Sequence, residues 1–381
     1  MIRELPRERA ILVYAHRKRT RGPSAVLHVS EVMEELNDLV RAAGAEVLAS
    51  HVQGVDSENP ATVVGKGTLV RLKEEIAKVG ANLVVFQNLL KPKQQALLEE
   101  ELEVKTLDRR EVILDIFARR ARTREGKLQV ELAQLSFRLG RLAGGRKELS
   151  RLGGGIGTRG PGEKKLEEDR RRIRAQIRQL ERELTTVRRT RSLHYQRRRE
   201  VGFPVVALVG YTNAGKSTLF NKLTGADVFV ADQLFATLDP TARKFRLPGG
   251  GNAILVDTVG FIHDLPAELR QAFLATLEGI GEADLLLHVA DGSSDAMESN
   301  IASVDAILGQ LSFREKPIVL VMNKRDLCLP GTPAPEGALR ISAKSGEGMP
   351  ELLTLIEREL WFHRPQETAS TPRDGSTSPT G

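Results

Sequence analysis

Gly210-Tyr211-Thr212-Asn213-Ala214-Gly215-Lys216-Ser217 sets its glycines, lysine and hydroxyl at the spacing of a phosphate-binding loop. Backbone amides of such a loop, with the N-terminus of the helix that follows, wrap a β-phosphate. Lys216 is expected to bridge β- and γ-phosphate oxygens, and the Ser217 hydroxyl to ligate Mg²⁺, with Thr218 next in the same turn. Downstream, Asp257-Thr258-Val259-Gly260 offers a carboxylate that can hold Mg²⁺ through a water, and the Gly260 amide for the γ-phosphate. Asn323-Lys324-Arg325-Asp326 then offers an aspartate that can accept from guanine N1 and N2, a donor pair adenine does not present in that arrangement. Asn323 should brace the loop and contact the base, while the Lys324 stem covers one base face. Ala343, within Ser342-Ala343-Lys344, would present its amide to guanine O6. In this order the elements point to GTP and GDP binding and to Mg²⁺-dependent hydrolysis of GTP.

A threonine is needed to close over Mg²⁺ and the γ-phosphate when GTP is bound and to release after hydrolysis. Thr237, in Leu234-Phe235-Ala236-Thr237-Leu238-Asp239, is the leading candidate, with Thr241 the alternative. Lys216, Thr237 and Gly260 are then the expected catalytic groups, and Ser217, Thr237 and Asp257 the expected metal set. Many small GTPases orient the attacking water with a glutamine after the aspartate–glycine element. Here that position is Phe261, which cannot orient water by hydrogen bonding, so slow intrinsic hydrolysis accelerated by a partner is expected.

The elements that must position these groups follow from apolar patterning. Val205–Val209, Ala253–Val256 and Ile318–Met322 read as buried strands, each running into one of the motifs, and Lys216–Leu223 begins a helix. After Phe203-Pro204 this makes an α/β domain reaching to about His363. Upstream, Ala10–Ala15, Ala45–Val52 and Asn82–Phe86 read as strands. Ser30–Ala43, Gly67–Val79 and Lys93–Glu101 read as helices, with Ser30 as an N-cap and Gly44 and Gly80 as stops. That alternation predicts a smaller α/β domain with a largely parallel sheet. Val64-Gly65-Lys66-Gly67-Thr68 lacks phosphate-loop spacing and reads as a turn before a helix.

From Glu125 the pattern changes. Leu128, Leu132, Leu135, Leu139 and Leu142, then Leu166, Ile173, Ile177, Leu180, Leu184 and Val187, recur at the steps of a helix seam. An antiparallel helical hairpin is expected, its second helix spanning about 165–198 and roughly 50 Å. Arg170, Arg171, Arg172, Arg174, Arg178, Arg182, Arg188, Arg189 and Arg191 fall on the expected outer face, partly offset by Glu167, Glu168, Glu181 and Glu183. That face is either simply solvated or a nucleic-acid surface. The connector from Leu149 to Glu163 far exceeds the roughly 2–8 residues a helix–helix turn needs. Its glycines permit close backbone approach, so Arg151, Gly154, Gly155 and Arg159 are candidate RNA contacts, the alternative being a mobile turn. The expected division is therefore 1–124, an N-terminal α/β domain; 125–200, the hairpin; 201–363, the GTPase domain; and 364–381, a disordered tail rich in Pro, Ser, Thr and Gly.

Composition sets limits on partners. The chain has 381 residues, 40% apolar, and no run near the roughly 18 apolar residues of a membrane span. Cys328 is the only cysteine and no signal-peptide pattern opens the chain, which reads as cytoplasmic. A net charge of +7 with only 4% aromatic residues suits phosphate contact and shape recognition of folded RNA better than base stacking. A monomer is expected, with no DNA and no membrane as partner.

The chain resembles the HflX family of translation-factor-related GTPases almost from end to end. The match is carried by Asp108-Arg109, by Ile113 to Ala118, by Glu125 to Ala133, and above all by the connector Gly153 to Glu163. Gly210–Thr218, Ala231–Asp239 and Asp257-Thr258-Val259-Gly260-Phe261 complete it. The resemblance implies a GTPase that binds the 50S subunit, splits or recycles stalled ribosomes and is stimulated by the ribosome, with the hairpin tip reaching toward the peptidyl-transferase region. It also assigns the Mg²⁺ role to Ser217 and Thr237. Phe137 and Gly140 stand where the family implies tyrosine and proline, so a different end to the first hairpin helix is expected. The folded C-terminal extension of some relatives has no counterpart in the pattern, and no motif for ATP use is seen in the N-terminal domain. An RNA-binding module with GTP as a binding switch, and an NTP-driven RNA remodeller, are the alternative readings.

Overall fold

The computed structural model describes residues 7–18, 23–144, 161–200, 202–226, 234–235, 241–263 and 280–362. In the N-terminal region, β1 (Arg9–Arg17), β2 (Glu46–Val55), β3 (Leu83–Phe86) and β4 (Lys105–Asp108) form one all-parallel sheet in the order β2-β1-β3-β4. The crossovers are α1 (Pro23–Ala42), α2 (Lys66–Val79) and α3 (Pro92–Leu102), and α4 (Arg109–Arg120) follows β4. Apolar residues line both faces of β1: Ala10 and Leu12 pack toward α1 and α4, while Ile11, Val13 and Ala15 pack toward α2 and α3. Such burial on both faces is what helices on either side of a parallel sheet require.

Most expected boundaries fall within a few residues. Gly65 is the N-cap of α2, so the segment around it is a turn before a helix, and the Gly80 amide closes that helix on the Ile76 carbonyl. Ser30 is not an N-cap. Helix α1 starts at Pro23, a residue suited to a first helical turn, and Ser30 lies exposed in its interior. Helix α4 is capped by Asp108, whose carboxylate accepts from the Glu111 amide at 3.2 Å while the Glu111 carboxylate accepts from the Asp108 amide at 3.3 Å.

Helix α5 (Arg124–Gly144) and helix α6 (Pro161–Glu200) pack as the expected antiparallel pair. Leu128, Leu135, Leu180 and Leu184 form the buried seam, flanked by Leu132, Ile173, Ile177 and Val187. Helix α5 runs through Gly140 and ends at Gly144. Phe137 is buried there, with the Arg110 and Arg141 guanidinium groups over its ring at 5.3 and 5.2 Å from the centre. Arg170 departs from the expected outer face. It is buried, and its Nη2 donates to the Leu142 carbonyl at 2.6 Å, giving the end of α5 a partner. Arg171, Arg172, Arg174, Arg178, Arg182 and Arg189 are exposed as expected. The side chains of Arg188 and Arg191, and the whole connector 145–160 with Arg151, Gly154, Gly155 and Arg159, lie outside the described residues.

The C-terminal region is built on a six-stranded sheet in the order β10-β9-β8-β5-β7-β6. Its strands are β5 (Val205–Val209), β6 (Thr241–Arg246), β7 (Asn252–Asp257), β8 (Leu285–Asp291), β9 (Ile318–Asn323) and β10 (Leu339–Arg340), all parallel to their neighbours except the edge strand β6. Helices α7 (Lys216–Thr224), α8 (Met297–Gln310) and α9 (Met349–Phe362) cover it. One continuous apolar cluster includes Phe117 of α4, Val130 of α5, and Phe235, Phe261 and Ile262 of the C-terminal region, so the three parts share a core. Among the described residues no helix is long and apolar enough to cross a membrane. The expected tail, 364–381, lies outside them.

Candidate nucleotide site

The motifs converge at the carboxyl ends of β5, β7, β8 and β9, where parallel α/β sheets place their ligands. Gly210 and Gly215 have positive φ, and each lets another group come close. A Cβ on Gly210 would lie 2.2 Å from the Val289 carbonyl oxygen, and one on Gly215 would lie 2.2 Å from Asn323 Nδ2. Tight closure of this kind is what a loop needs if its amides are to wrap a diphosphate. Lys216 is buried at the start of α7, and its ammonium donates to the carbonyls of Gly210 and Tyr211 at 3.1 and 2.6 Å. Burial pushes its pKa down to about 8, against the pull of the Asp257 charge.

Ser217 Oγ donates to Asp257 Oδ2 at 2.9 Å, and Asp257 is fully buried. A hydroxyl and a carboxylate side by side next to the lysine are hard oxygen donors that suit Mg²⁺. Thr241 opens β6 directly opposite Asp257, fixed in an antiparallel ladder. Ala236, Thr237, Leu238 and Asp239 lie outside the described residues.

The base-recognition segments are joined to the phosphate loop through Asn323. Its Nδ2 donates to the Ala214 carbonyl and its Oδ1 accepts from the Ala343 amide, both at 2.9 Å. The Ala343 amide, expected to face guanine O6, therefore already has an acceptor with which O6 must compete. Ser342 Oγ donates to Asp326 Oδ1 at 2.6 Å, orienting an otherwise exposed carboxylate. Lys324, in the left-handed region, pairs through Nζ with Asp291 Oδ2 at 2.7 Å. Arg325 turns to Glu347 at 3.1 Å and Lys344 is exposed.

Three expected nucleotide contacts are used otherwise by their side chains. Thr258 Oγ1 donates to the Leu208 carbonyl at 2.6 Å, and Val259 is in the core, which leaves only their backbone for ligand. Phe235 is 2% exposed, its ring edge-on to Phe117 of α4 at 4.6 Å. Sequence reasoning also missed His288 and Asp291 because it did not read β8 as a strand. Burial, together with the nearby Lys216 charge, pushes the His288 pKa down to about 4 despite Asp305 at 3.5 Å. A neutral imidazole therefore lies beside the phosphate loop. The apolar run Leu285 to Leu287 ahead of His288 was the available signal.

Three family models match in succession: a GTP-binding GTPase N-terminal region over residues 30–118, a GTP-binding GTPase middle region over 120–198, and a 50S ribosome-binding GTPase over 205–324. The GTPase HflX of Caldanaerobacter subterraneus subsp. tengcongensis is 52% identical over 331 residues, covering 87% of this chain and 77% of that protein. The GTPase HflX of Escherichia coli K12 is 43% identical over 349 residues, covering 90% and 82%. A crystal structure of SsGBP in complex with GDP superposes with a TM-score of 0.51 at 23% identity, covering 94% of this chain and 100% of that one, a likeness of fold. With this order of motifs, this site and relatives of that identity over most of its length, the chain belongs to the HflX family of GTPases and hydrolyses GTP.

Proposed function

We propose that the protein is a cytoplasmic, monomeric, ribosome-activated GTPase that binds the 50S subunit and splits or recycles stalled ribosomes. The observation that carries this is the row of exposed arginines on α6, on a chain whose relatives are GTPases of this family. Arginines along one long helix give the dense positive charge that rRNA phosphates attract, with no requirement for base sequence. The GTPase region, 201–363, is the motor. The N-terminal domain, 1–124, and the hairpin, 125–200, form the RNA-facing arm, with Arg151, Gly154, Gly155 and Arg159 at its tip.

Within the motor, the loop Gly210–Thr218 and Lys216 hold the phosphates, Gly260 donates its amide to the γ-phosphate, and Asp326 with Asn323, Lys324 and the segment Ser342–Lys344 selects guanine. Ser217, Thr237 and, through a water, Asp257 hold Mg²⁺. The ion neutralises charge on the β- and γ-phosphates when bound. Phe261, buried in the core, presents no group to orient water, so turnover rests on the ribosome ordering the loops around Thr237 and Gly260. Co-sedimentation with ribosomal subunits in GTP, GDP and a non-hydrolysable GTP analogue tests this, alongside phosphate release with and without 50S subunits. Analogue-dependent 50S association and hydrolysis faster by an order of magnitude or more are expected. Binding to 50S that ignores the nucleotide, or hydrolysis indifferent to ribosomes, would overturn the proposal.

A further inference from the structure

Three parts of the nucleotide machinery touch the N-terminal region. Phe235 packs on Phe117. The Tyr211 hydroxyl, in the phosphate loop, donates to the Glu35 carboxylate on α1 and accepts from the His263 amide at 2.9 Å. Arg109, the first residue of α4 and 3% exposed, donates through Nη2 to Glu35 and to the His263 carbonyl, the latter at 2.5 Å. The N–H and the C=O of His263 are thus held by residues bridged through one carboxylate. The Tyr211 and His263 rings also lie 5.0 Å apart.

His263 follows Gly260 by three residues, and the segment between them is closed onto the phosphate loop. The Phe261 amide donates to the Gly210 carbonyl at 3.1 Å, and its carbonyl accepts from the Thr212 amide at 2.8 Å. A Cβ on Gly260 would lie 2.8 Å from Thr212 Cα and 3.0 Å from Lys216 Nζ. A γ-phosphoryl group bonded to both Lys216 and the Gly260 amide needs about 2.8 Å to a donor on each side of its own oxygens. Gly260 is packed closely against Thr212 and Lys216, so a γ-phosphoryl group inserted between Lys216 and the Gly260 amide would draw residues 260–263 away from the loop. The contacts from Arg109 and Tyr211 oppose that movement. A β-phosphate, lying against the loop amides, requires no such displacement.

We propose that Glu35, Arg109 and Tyr211 are positioning residues that form a latch between the N-terminal region and residues 260–263, and that the latch lowers affinity for GTP relative to GDP. By reciprocity, a bound γ-phosphate loosens the seat of the N-terminal region, and a partner that lifts the N-terminal region favours GTP. The latch acts on GTP binding alone and involves no ribosome, so its test is independent of the ribosomal reading above.

The full chain is titrated with fluorescent GDP and with a fluorescent non-hydrolysable GTP analogue, as wild type, Arg109→Met, Arg109→Lys and Tyr211→Phe. Losing one net hydrogen bond of the latch should raise the ratio of analogue to GDP affinity about five- to tenfold. Arg109→Lys, which keeps a cation able to reach one acceptor, should return the ratio part of the way to wild type. Arg109→Met combined with Tyr211→Phe should exceed either single variant by little, because both release the same segment. A residue that merely stabilises the fold would weaken both nucleotides together and leave the ratio unmoved. Should Arg109→Met fail to fold, Tyr211→Phe removes only a hydroxyl and carries the test. A ratio within twofold of wild type, or below it, in the folded variants would overturn the latch.

Discussion

Asn323→Ala removes the side chain that ties the phosphate loop to the base-recognition segment. Asn323 is 2% exposed, and its two partners, the Ala214 carbonyl and the Ala343 amide, belong to residues 1% and 3% exposed. Each buried group left without a partner costs about 1–3 kcal/mol, so the pair should cost about 2–4 kcal/mol after relaxation. The site must recover that ordering when nucleotide binds, which corresponds to GDP affinity weaker by roughly 30-fold or more. Hydrogen exchange of the Ala343 amide with bound-state titration of GDP measures both ends of the argument. The amide should exchange at least about tenfold faster in Asn323→Ala than in wild type. Asn323→Asp separates the two bonds. Its carboxylate still accepts from the Ala343 amide but repels the Ala214 carbonyl, so the amide should stay protected while GDP binding weakens. An Ala343 amide as protected in Asn323→Ala as in wild type, with GDP affinity within threefold, would show that some other contact joins the two loops.

Two further outcomes follow from the same site. Asp326→Asn replaces the acceptor for guanine N1–H and N2–H₂ with a side chain that can donate to a base oxygen, while Ser342 Oγ keeps a carbonyl to bond. GTP should bind about 100-fold more weakly and xanthosine triphosphate should become the preferred ligand in competition titrations; retained guanine preference would remove Asp326 from the base site. Lys216 has a pKa lowered to about 8 by burial, and bound phosphates will raise it again. A base whose folded pKa is depressed destabilises the fold while protonated. Without ligand, stability therefore rises between pH 8 and the unfolded value near 10.5, and nucleotide binding reverses this by taking up a proton. Calorimetry at pH 8 in two buffers of different ionisation enthalpy should report uptake of about half a proton per GTP, absent in Lys216→Met. Equal uptake by both proteins would place the proton elsewhere.

What could be read from the sequence, and what could not, divides by range of interaction. Val205–Val209 and Lys216 onward were legible because strand, loop and helix are consecutive and the chemistry demands those residue types at that spacing. The hairpin was legible because its seam repeats. Strand β6, Thr-Ala-Arg-Lys-Phe-Arg, carried no such mark: as an edge strand it buries only Phe245, so its polar alternation resembles a loop. Arg170 illustrates the converse. Its charge placed it with the solvated arginines, yet a helix end needs donors for its last carbonyls, and an arginine 28 residues away supplies one to Leu142. The same holds for Arg109 and Glu35, which reach His263 and Tyr211 across 154 and 176 residues. No periodicity or local motif encodes a polar contact of that range, because its partner is chosen by how separately folded parts dock. The phosphate loop is therefore recognisable in isolation, whereas the contacts on Tyr211 and His263 exist only once the N-terminal region is seated beside it. Those contacts are also where the preference between GTP and GDP can change without altering the nucleotide motifs, since a change at Glu35 leaves every one of their residues in place.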